Sequence, residues 1–165
     1  MIRIRLLDPG LDRTGFTCGV PALDRYFFSQ ASQDARRLIA NCFVAMRGET
    51  IVGFYTLSSA SIPMQDVPEV LRKRLPRYPA LPAIRIGRLA VDSRHRGQGI
   101  GGALLADAVM RALRAEAPGF TLVVDAKDDQ AAAFYKHHGF LELSGNPHIL
   151  LLPLGILRKI SEVMP

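Results

Sequence analysis

Residues 94–102 read Arg94-His95-Arg96-Gly97-Gln98-Gly99-Ile100-Gly101-Gly102, and the prediction of the fold starts from this glycine-rich segment. It follows residues 84–91, which have the composition of a buried strand, and it opens a segment whose apolar residues recur at helical spacing from Ile100 onward. Such a strand–turn–helix presents unpaired backbone N–H groups at the positive end of the helix dipole. The four glycines let the main chain approach a bulky anion closely. The stretch therefore predicts a phosphate-binding turn, although a glycine-rich helix start also occurs where a helix packs closely on a strand.

The charge distribution also indicates an anionic ligand. Residues 72–96 carry eight basic side chains and one acidic side chain, whereas the rest of the chain has a slight negative balance. Seventeen of the 21 basic residues are arginines, whose planar guanidinium groups suit bidentate contacts with phosphate. A solvated surface that aids solubility is the alternative interpretation. Because the basic run leads directly into the glycine turn, a polyanionic ligand is favoured. The eight basic residues are Arg72, Lys73, Arg74, Arg77, Arg85, Arg88, Arg94 and Arg96.

The length and composition predict one soluble domain over residues 1–165. No apolar run reaches the length of a membrane-spanning helix, and the first residues lack the pattern of a signal peptide, so a cytoplasmic protein without a membrane partner is expected. The two cysteines, Cys18 and Cys42, are predicted to be packed thiols. The four histidines have no third ligand at a suitable spacing, so no metal site is predicted.

The pattern of strands and helices predicts a mixed α/β fold. It comprises a first strand, a helix over residues 21–38, a hairpin of residues 41–47 and 51–60, and a long loop over residues 62–83 with one short helix. After the strand 84–91 and the glycine turn come a helix that ends before Pro118 and a strand over residues 120–125. Asp128 is predicted to cap a helix that Gly139 ends, and strands near 140–144 and 148–153 precede an amphipathic tail, residues 154–160. This order does not alternate regularly enough for a Rossmann domain, and the turn lacks the Gly-Lys-Ser/Thr ending of a P-loop.

Two spaced motifs carry a family resemblance. Arg94-x-x-Gly97-x-Gly99 follows a strand, and Tyr135-x-x-x-Gly139-Phe140 follows about 35 residues later on a predicted helix. Together they resemble the paired signature of the GNAT (Gcn5-related) N-acetyltransferases, whose order of elements matches residues 2–153. The resemblance implies a mixed, mostly antiparallel central sheet flanked by helices and splayed at the acetyl-coenzyme A (acetyl-CoA) site. It also implies acetyl-CoA as the donor substrate and no metal.

The resemblance assigns roles to individual residues. It implies that backbone amides of the turn bind the coenzyme A pyrophosphate, that the preceding strand pairs with the pantetheine arm, and that the family's bulge in that strand falls near Gly87. Tyr135 would protonate the departing thiolate, although a core aromatic is the alternative for Tyr135 and for the neighbouring candidate Phe134. The implied cofactor-binding residues are Leu89, Ala90, Val91, Arg94, Arg96, Gly97, Gln98, Gly99, Ile100, Gly101, Gly102 and Phe134.

The strand before the turn bears on the choice of acceptor amine. Many GNAT enzymes carry a glutamate there as a general base, whereas this strand has no carboxylate before Asp92. Deprotonating a lysine side chain at pH 7 costs about 4.6 kcal/mol, but an α-amino group costs only about 1 to 1.4 kcal/mol. An acceptor that is already largely neutral is therefore favoured, with a water-linked base as the alternative.

A weakly basic α-amine and an arginine-rich approach together favour an aminoacyl-tRNA as the acceptor, because phosphate contacts supply affinity with little sequence information. The chain also resembles a branch of the family, the TacT-like toxins of toxin–antitoxin modules, in segments that include residues 16–24, 52–57, 75–79, 87–92 and 124–128. That resemblance implies a toxin that acetylates charged tRNA and blocks translation, a homodimer, and a ribbon-helix-helix antitoxin. The candidate tRNA-binding residues are Arg72, Lys73, Arg74, Arg77, Arg85 and Arg88.

Two other functions compete with this interpretation. The first is an N-acetyltransferase whose acceptor is a small-molecule amine or a protein N-terminus. A base on the strand before the turn, or an acidic acceptor pocket, would have favoured this function. The second is a regulator that binds coenzyme A or nucleic acid without catalysis. Tyr135 argues against the second function, because only a catalyst needs a proton donor for the thiolate.

Overall fold

The computed structural model describes residues 1–143 and 145–163, and the side chains up to residue 158. Its strands are β1 (Arg3–Leu6), β2 (Asn41–Arg47), β3 (Thr50–Pro63), β4 (Ala80–Val91), β5 (Thr121–Asp125), β6 (Leu141–Leu143) and β7 (Asn146–Pro153). Its α-helices are α1 (Pro21–Arg25), α2 (Ala31–Arg36), α3 (Glu69–Arg72), α4 (Ile100–Arg114), α5 (Asp129–His137) and α6 (Leu154–Val163). None of the helices described is long and apolar enough to cross a membrane.

The strands form one sheet in the order β1-β2-β3-β4-β5-β7-β6. Pairing is antiparallel between β1 and β2, β2 and β3, β5 and β7, and β6 and β7. The β2–β3 hairpin reverses at Gly48, where φ is +62°, as the sequence predicts. The predicted α/β class with a mixed, mostly antiparallel sheet is confirmed, and the splaying of the sheet at the acetyl-CoA site stays a prediction.

Close contacts divide the chain into two compact units, and residues 1–58 and 86–108 form the first. Its core contains the rings of Phe16, Phe27 and Phe54, and Phe27 stacks on Phe54 with the ring centroids 4.3 Å apart. The predicted helix over residues 21–38 consists of α1, a π-helical segment (Tyr26–Gln30) and α2. It ends earlier than predicted, because Leu38 adopts a positive φ of 60° and is 93% exposed instead of belonging to the apolar stripe.

Residues 59–85 and 109–165 form the second unit. Its core includes Ile62, Leu81, Val123 and Leu151, which come from β3, β4, β5 and β7. The long loop predicted over residues 62–83 is shorter in the structure, because β3 continues to Pro63 and β4 starts at Ala80. Pro82 lies within β4, whereas Pro63 is the last residue of β3. Ser144, the last residue of the predicted strand 140–144, lies outside the described residues.

Both cysteines are buried thiols outside any disulfide, as predicted. Cys42 is 1% exposed, and burial raises the pKa of its thiol to about 12. Because a thiol with such a pKa stays protonated near neutral pH, Cys42 is not a nucleophile in this environment.

Candidate functional site

The glycine turn connects β4 to α4 in the first unit. A short 3₁₀ turn (Ser93–His95) follows the strand, Gly97 and Gly99 adopt φ values of +75° and +77°, and α4 then starts at Ile100. A Cβ atom placed on either glycine would meet no atom within 4 Å, so these positions need glycine for their conformation and leave open space beside the main chain. Open space at the N-terminus of a 15-residue helix fits a bulky pyrophosphate.

A buried carboxylate holds the start of this turn. Asp92 is fully buried and accepts hydrogen bonds from Arg94 at the backbone N (2.9 Å), Nε (3.0 Å) and Nη2 (2.9 Å). It also accepts one from the backbone N of Thr17 at 3.3 Å. The hydrogen bonds from Arg94 lower the pKa of Asp92 to about 2. Asp92 is therefore a permanent anion engaged in structure, and this carboxylate next to the pre-turn strand is a poor candidate for a general base.

The arginines of the turn bond to the loop over residues 15–18. Arg94 Nη2 donates to the Gly15 carbonyl at 2.7 Å, and Arg96 Nη2 donates to the Cys18 carbonyl at 2.6 Å. The backbone N of Ser93 donates to the Thr17 carbonyl at 2.9 Å. Sequence analysis assigned Arg94 and Arg96 to the pyrophosphate and missed this bracing role, because the acceptors lie more than 75 residues away in the chain.

Gln98 and the strand before the turn are also positioned by neighbours. Gln98 Oε1 accepts a hydrogen bond from Arg47 Nη1 at 2.7 Å. Near the predicted bulge, the Arg88 backbone N donates to the Thr56 hydroxyl at 3.0 Å, and a Cβ on Gly87 would lie only 2.8 Å from that hydroxyl oxygen. Gly87 is thus required by a close approach of Thr56, and the bulge near it stays a prediction.

Arg88, a predicted tRNA contact, lies over an aromatic ring. Its guanidinium carbon is 3.6 Å from the ring centroid of Tyr26, which is within the range of a cation–π contact. The Tyr26 hydroxyl donates to the buried Asp34 at 2.9 Å, and Gln30 donates to the same carboxylate at 3.1 Å. Tyr26 and Gln30 bound the π-helical segment, a feature that sequence spacing did not predict.

Tyr135 lies on α5 in the second unit. Asp128 caps this helix by accepting from the Ala131 backbone N at 2.8 Å, and Gly139 ends it with a φ of +95°, both as predicted. The Tyr135 ring is 6% exposed and lies 5.3 Å from the Phe140 ring and 5.1 Å from the half-buried Phe134 ring. Burial raises the pKa of the Tyr135 phenol well above its ordinary value, so the hydroxyl keeps its proton throughout the physiological range.

The remaining candidate tRNA contacts also belong to the second unit. Arg85 Nη1 forms an ion pair with Asp125 at 2.6 Å, Lys73 pairs with Glu69 at 3.6 Å, and Arg72 donates to the Gln65 carbonyl at 3.3 Å. Arg74 and Arg77 are exposed, and neither side chain has a hydrogen bond or ion pair among the residues that the structure describes. These two arginines are therefore the most available cations of the set.

An open groove of about 550 Å³ lies in the same segment. Its lining includes the basic residues Arg72, Lys73 and Arg77, the ring of Tyr78 and the prolines on either side. Sequence analysis identified the charges but not the groove or the exposed aromatic ring. The segment 72–79 is called the basic loop below.

Comparisons with known proteins agree with the two motifs. The family model described as an acetyltransferase (GNAT) domain matches residues 39–142. A tRNA-acetylating toxin of Mycobacterium tuberculosis (strain ATCC 25618 / H37Rv) is 38% identical over 144 residues, which are 86% of each chain. A probable toxin TacT of Sinorhizobium fredii (strain NBRC 101917 / NGR234) is 31% identical and covers 95% of this chain and 93% of its own.

Solved structures of toxins are also similar to this chain. The toxin AtaT complexed with acetyl-methionyl-tRNAfMet superposes with a TM-score of 0.90 at 28% identity, covering 98% of this chain and 99% of the other. A mutant of AtaT bound to the C-terminus of the antitoxin AtaR and acetyl-CoA has a TM-score of 0.81 at 26% identity, covering 98% and 99%. In both comparisons the structural similarity extends over almost the whole of each chain.

Proposed function

The chain belongs to the GNAT acetyltransferase family, and we propose that it is a toxin that transfers an acetyl group from acetyl-CoA to the α-amino group of aminoacyl-tRNA and so blocks translation. The observation that carries the acceptor is the similarity, over almost the whole length, to proteins named for tRNA acetylation, together with the available cations Arg74 and Arg77. Acetyl-CoA is the donor of this N-acetyltransferase.

The glycine turn is the proposed pyrophosphate site. The main chain at Gly97 and Gly99 borders a space that no side chain fills, and the dipole of α4 favours negative charge at its N-terminus. Asp92 and Arg94 neutralise each other, so the pair holds the turn without adding net charge to it. The side chains of Arg94 and Arg96 are committed to Gly15 and Cys18, which supports a larger share for the backbone amides in binding phosphate. The residues Leu89, Ala90 and Val91 remain the proposed partners of the pantetheine arm.

Acetyl-CoA supplies a thioester whose acetyl carbon accepts the amine. The C–N bond forms as the C–S bond breaks, the amine nitrogen loses a proton, and the thiolate gains one. Tyr135 is the proposed donor of that last proton, because a phenol is protonated near neutral pH and its hydroxyl can donate to the thiolate as the C–S bond breaks. With Asp92 engaged by Arg94, an acceptor that is already neutral fits better than a lysine side chain.

Labelled acetyl-CoA incubated with total charged tRNA tests this function. We expect label in the RNA fraction only when the tRNA is charged, and mild alkali should release it as an N-acetylated amino acid. Label that stays on the RNA after deacylation would contradict the proposal. Turnover with small amines or protein N-termini and none with charged tRNA would establish the alternative acceptor. Binding of acetyl-CoA without any turnover would establish a non-catalytic regulator.

Replacing the proposed acid tests the mechanism in the same assay. Tyr135→Phe should lower kcat by about 10²- to 10⁴-fold and leave the affinity for acetyl-CoA nearly unchanged, because only the proton for the thiolate is lost. Tyr78→Phe is the matched control, since it removes a hydroxyl from an exposed tyrosine and should leave kcat at the wild-type value. A Tyr135→Phe enzyme with undiminished kcat would remove Tyr135 from the mechanism.

The proposed partners are an antitoxin of the ribbon-helix-helix class and a second copy of the chain. The complex of the relative AtaT with the antitoxin AtaR supports the first. Several exposed apolar side chains of the first unit, Leu6, Phe28, Leu38 and Ile39, support a protein contact on that unit. Light scattering of the isolated chain gives its mass directly, and a monomer at micromolar concentration would exclude a stable homodimer.

A further inference from the structure

We propose that Tyr78 is a stacking platform for an unpaired base of the acceptor RNA and that Arg77 contacts a phosphate beside that base. The inference rests on the proposed function for the identity of the RNA. It assigns a role to Tyr78, an aromatic residue that takes no part in the proposed acetyl-transfer step.

The exposure of Tyr78 distinguishes it from the other tyrosines. Of the four in the chain, Tyr26, Tyr55 and Tyr135 are at most 7% exposed, whereas Tyr78 is 60% exposed. Its ring lines the groove of about 550 Å³ together with the basic side chains. A positively charged groove with an accessible aromatic ring is the arrangement by which proteins bind single-stranded nucleic acid.

The backbone around Tyr78 is held in place from both sides. The Tyr78 backbone N donates to the Pro76 carbonyl at 2.9 Å, which closes a γ-turn around Arg77. Prolines at 76 and 79 restrict φ on either side of it, and Met64 donates its backbone N to the Pro79 carbonyl at 3.0 Å. A ring presented on a restricted backbone loses little conformational entropy when a base stacks on it.

The start of the segment is anchored by its apolar side chains. Leu71 and Leu75 pack against the core of the second unit, while Arg72, Lys73 and Arg74 between them are exposed. This arrangement fixes the basic side chains on the outer side of α3 and the residues that follow it. The exposed cations next to Tyr78 are thus a consequence of where the two leucines are buried.

The charge of the segment favours RNA over a protein partner. Residues 70–91 contain no aspartate or glutamate, and Glu69 is already paired with Lys73. Arg77 has no partner among the described residues, so its guanidinium is available to a phosphate beside the stacked base. Bases within a duplex stack on each other and offer no free face, so the contact requires an unpaired nucleotide, such as those next to the aminoacyl end of a tRNA.

The chain contains no tryptophan, so Tyr78→Trp introduces a single fluorescent reporter at the proposed platform. We expect a single-stranded oligoribonucleotide to quench its fluorescence, and a duplex of the same length at the same salt concentration to quench it far less. Adding Arg77→Ala should weaken the binding of the single strand. Unchanged fluorescence at saturating single-stranded RNA, or equal quenching by the duplex, would overturn the proposal. Quenching by the antitoxin but not by RNA would overturn it in favour of a protein-docking surface.

Kinetics supply the second measurement. Tyr78→Ala should raise KM for charged tRNA by about fivefold or more, while kcat and KM for acetyl-CoA stay near the wild-type values. Tyr78→Phe should behave like the wild type, because it keeps the ring. A wild-type KM for Tyr78→Ala would refute the platform even if the wild-type enzyme acetylates charged tRNA. If the wild-type enzyme fails to acetylate any charged tRNA but the single strand still quenches, the proposed function fails and the base-stacking site stands.

Discussion

The basic loop lies within the charge-rich stretch 72–96 and the glycine turn starts at its end, yet their arginines have different surroundings. In the turn, Arg94 donates to Asp92 and Gly15, and Arg96 donates to Cys18. In the loop, Arg74 and Arg77 are exposed without a partner among the described residues. Arginines that are alike in sequence thus divide into a set that holds the protein together and a set that remains available to a ligand.

The comparison explains why charge alone is a poor guide to binding residues. An arginine whose donors are already satisfied by protein acceptors gains little from a phosphate, because it must first give up those hydrogen bonds. Arg85 and Arg88 belong with the first set on this criterion, since Arg85 pairs with Asp125 and Arg88 stacks on Tyr26. Their proposed role in tRNA binding is therefore weaker than that of Arg74 and Arg77.

Asp92→Asn is expected to have the largest effect on stability, because Asp92 holds the start of the glycine turn. It removes the buried charge to which Arg94 donates, and we expect it to lower the free energy of unfolding by about 2 kcal/mol, less than a fully buried pair because Arg94 remains hydrated. Denaturant unfolding measures the change. Asp12→Asn is the control, because Asp12 is exposed and the substitution keeps its acceptor oxygen, so it should leave the free energy of unfolding nearly unchanged. Equal effects of the two substitutions on the free energy of unfolding would mean that the Asp92–Arg94 pair does not stabilise the fold.

The same pair predicts a pH dependence. The folded-state pKa of Asp92, about 2, lies below the ordinary value of 3.8, so its contribution is complete above about pH 5 and is lost as the pH falls toward 2. Unfolding midpoints measured across this range should fall more steeply for the wild type than for Asp92→Asn. Parallel curves for the two proteins would assign acid sensitivity to other carboxylates.

Arg74→Ala combined with Arg77→Ala has the next largest expected effect. It should raise KM for charged tRNA by roughly tenfold, reduce the slope of log affinity against log salt by about 2, and leave acetyl-CoA binding unchanged. Arg85→Ala is the matched substitution of a paired arginine and should have a smaller effect on KM. If Arg85→Ala alone matches the double variant, availability of the guanidinium does not decide which arginines bind RNA.

Gly97→Ala has the smallest expected effect on stability and reports on the turn. A Cβ meets no atom there, so the cost comes from the φ of +75° and should be about 1 kcal/mol. The methyl group also enters the space left for the pyrophosphate, so titration calorimetry should show weaker binding of acetyl-CoA. Gly15→Ala is the control, because that glycine has open space and an ordinary φ. Unchanged acetyl-CoA affinity in Gly97→Ala would place the pyrophosphate elsewhere.

Local patterns predicted most of the fold. β-Branched and aromatic residues identified the hairpin, and an apolar run identified the strand after α4. Asp128 with Gly139 identified both ends of α5, because caps act within a few residues of the helix they bound. The patterns failed at Leu38, which is apolar but 93% exposed, and at the proline-rich loop, where β3 and β4 extend further than predicted. Strand pairing with a distant neighbour overrides local propensity in such places.

The glycine turn, the Tyr135 helix, the absence of a carboxylate on the strand before the turn and the concentration of arginines in one stretch can all be predicted from the sequence. These features depend on residue types at short spacing, and together with the family match they identify the donor substrate and the class of reaction. Only the tertiary structure decided which arginines are engaged, that Asp92 is buried, and that Tyr78 is exposed while the other tyrosines are not. The physical reason is that burial and hydrogen-bond partners come from residues far apart in the chain, such as Gly15 and Arg94 or Tyr26 and Arg88.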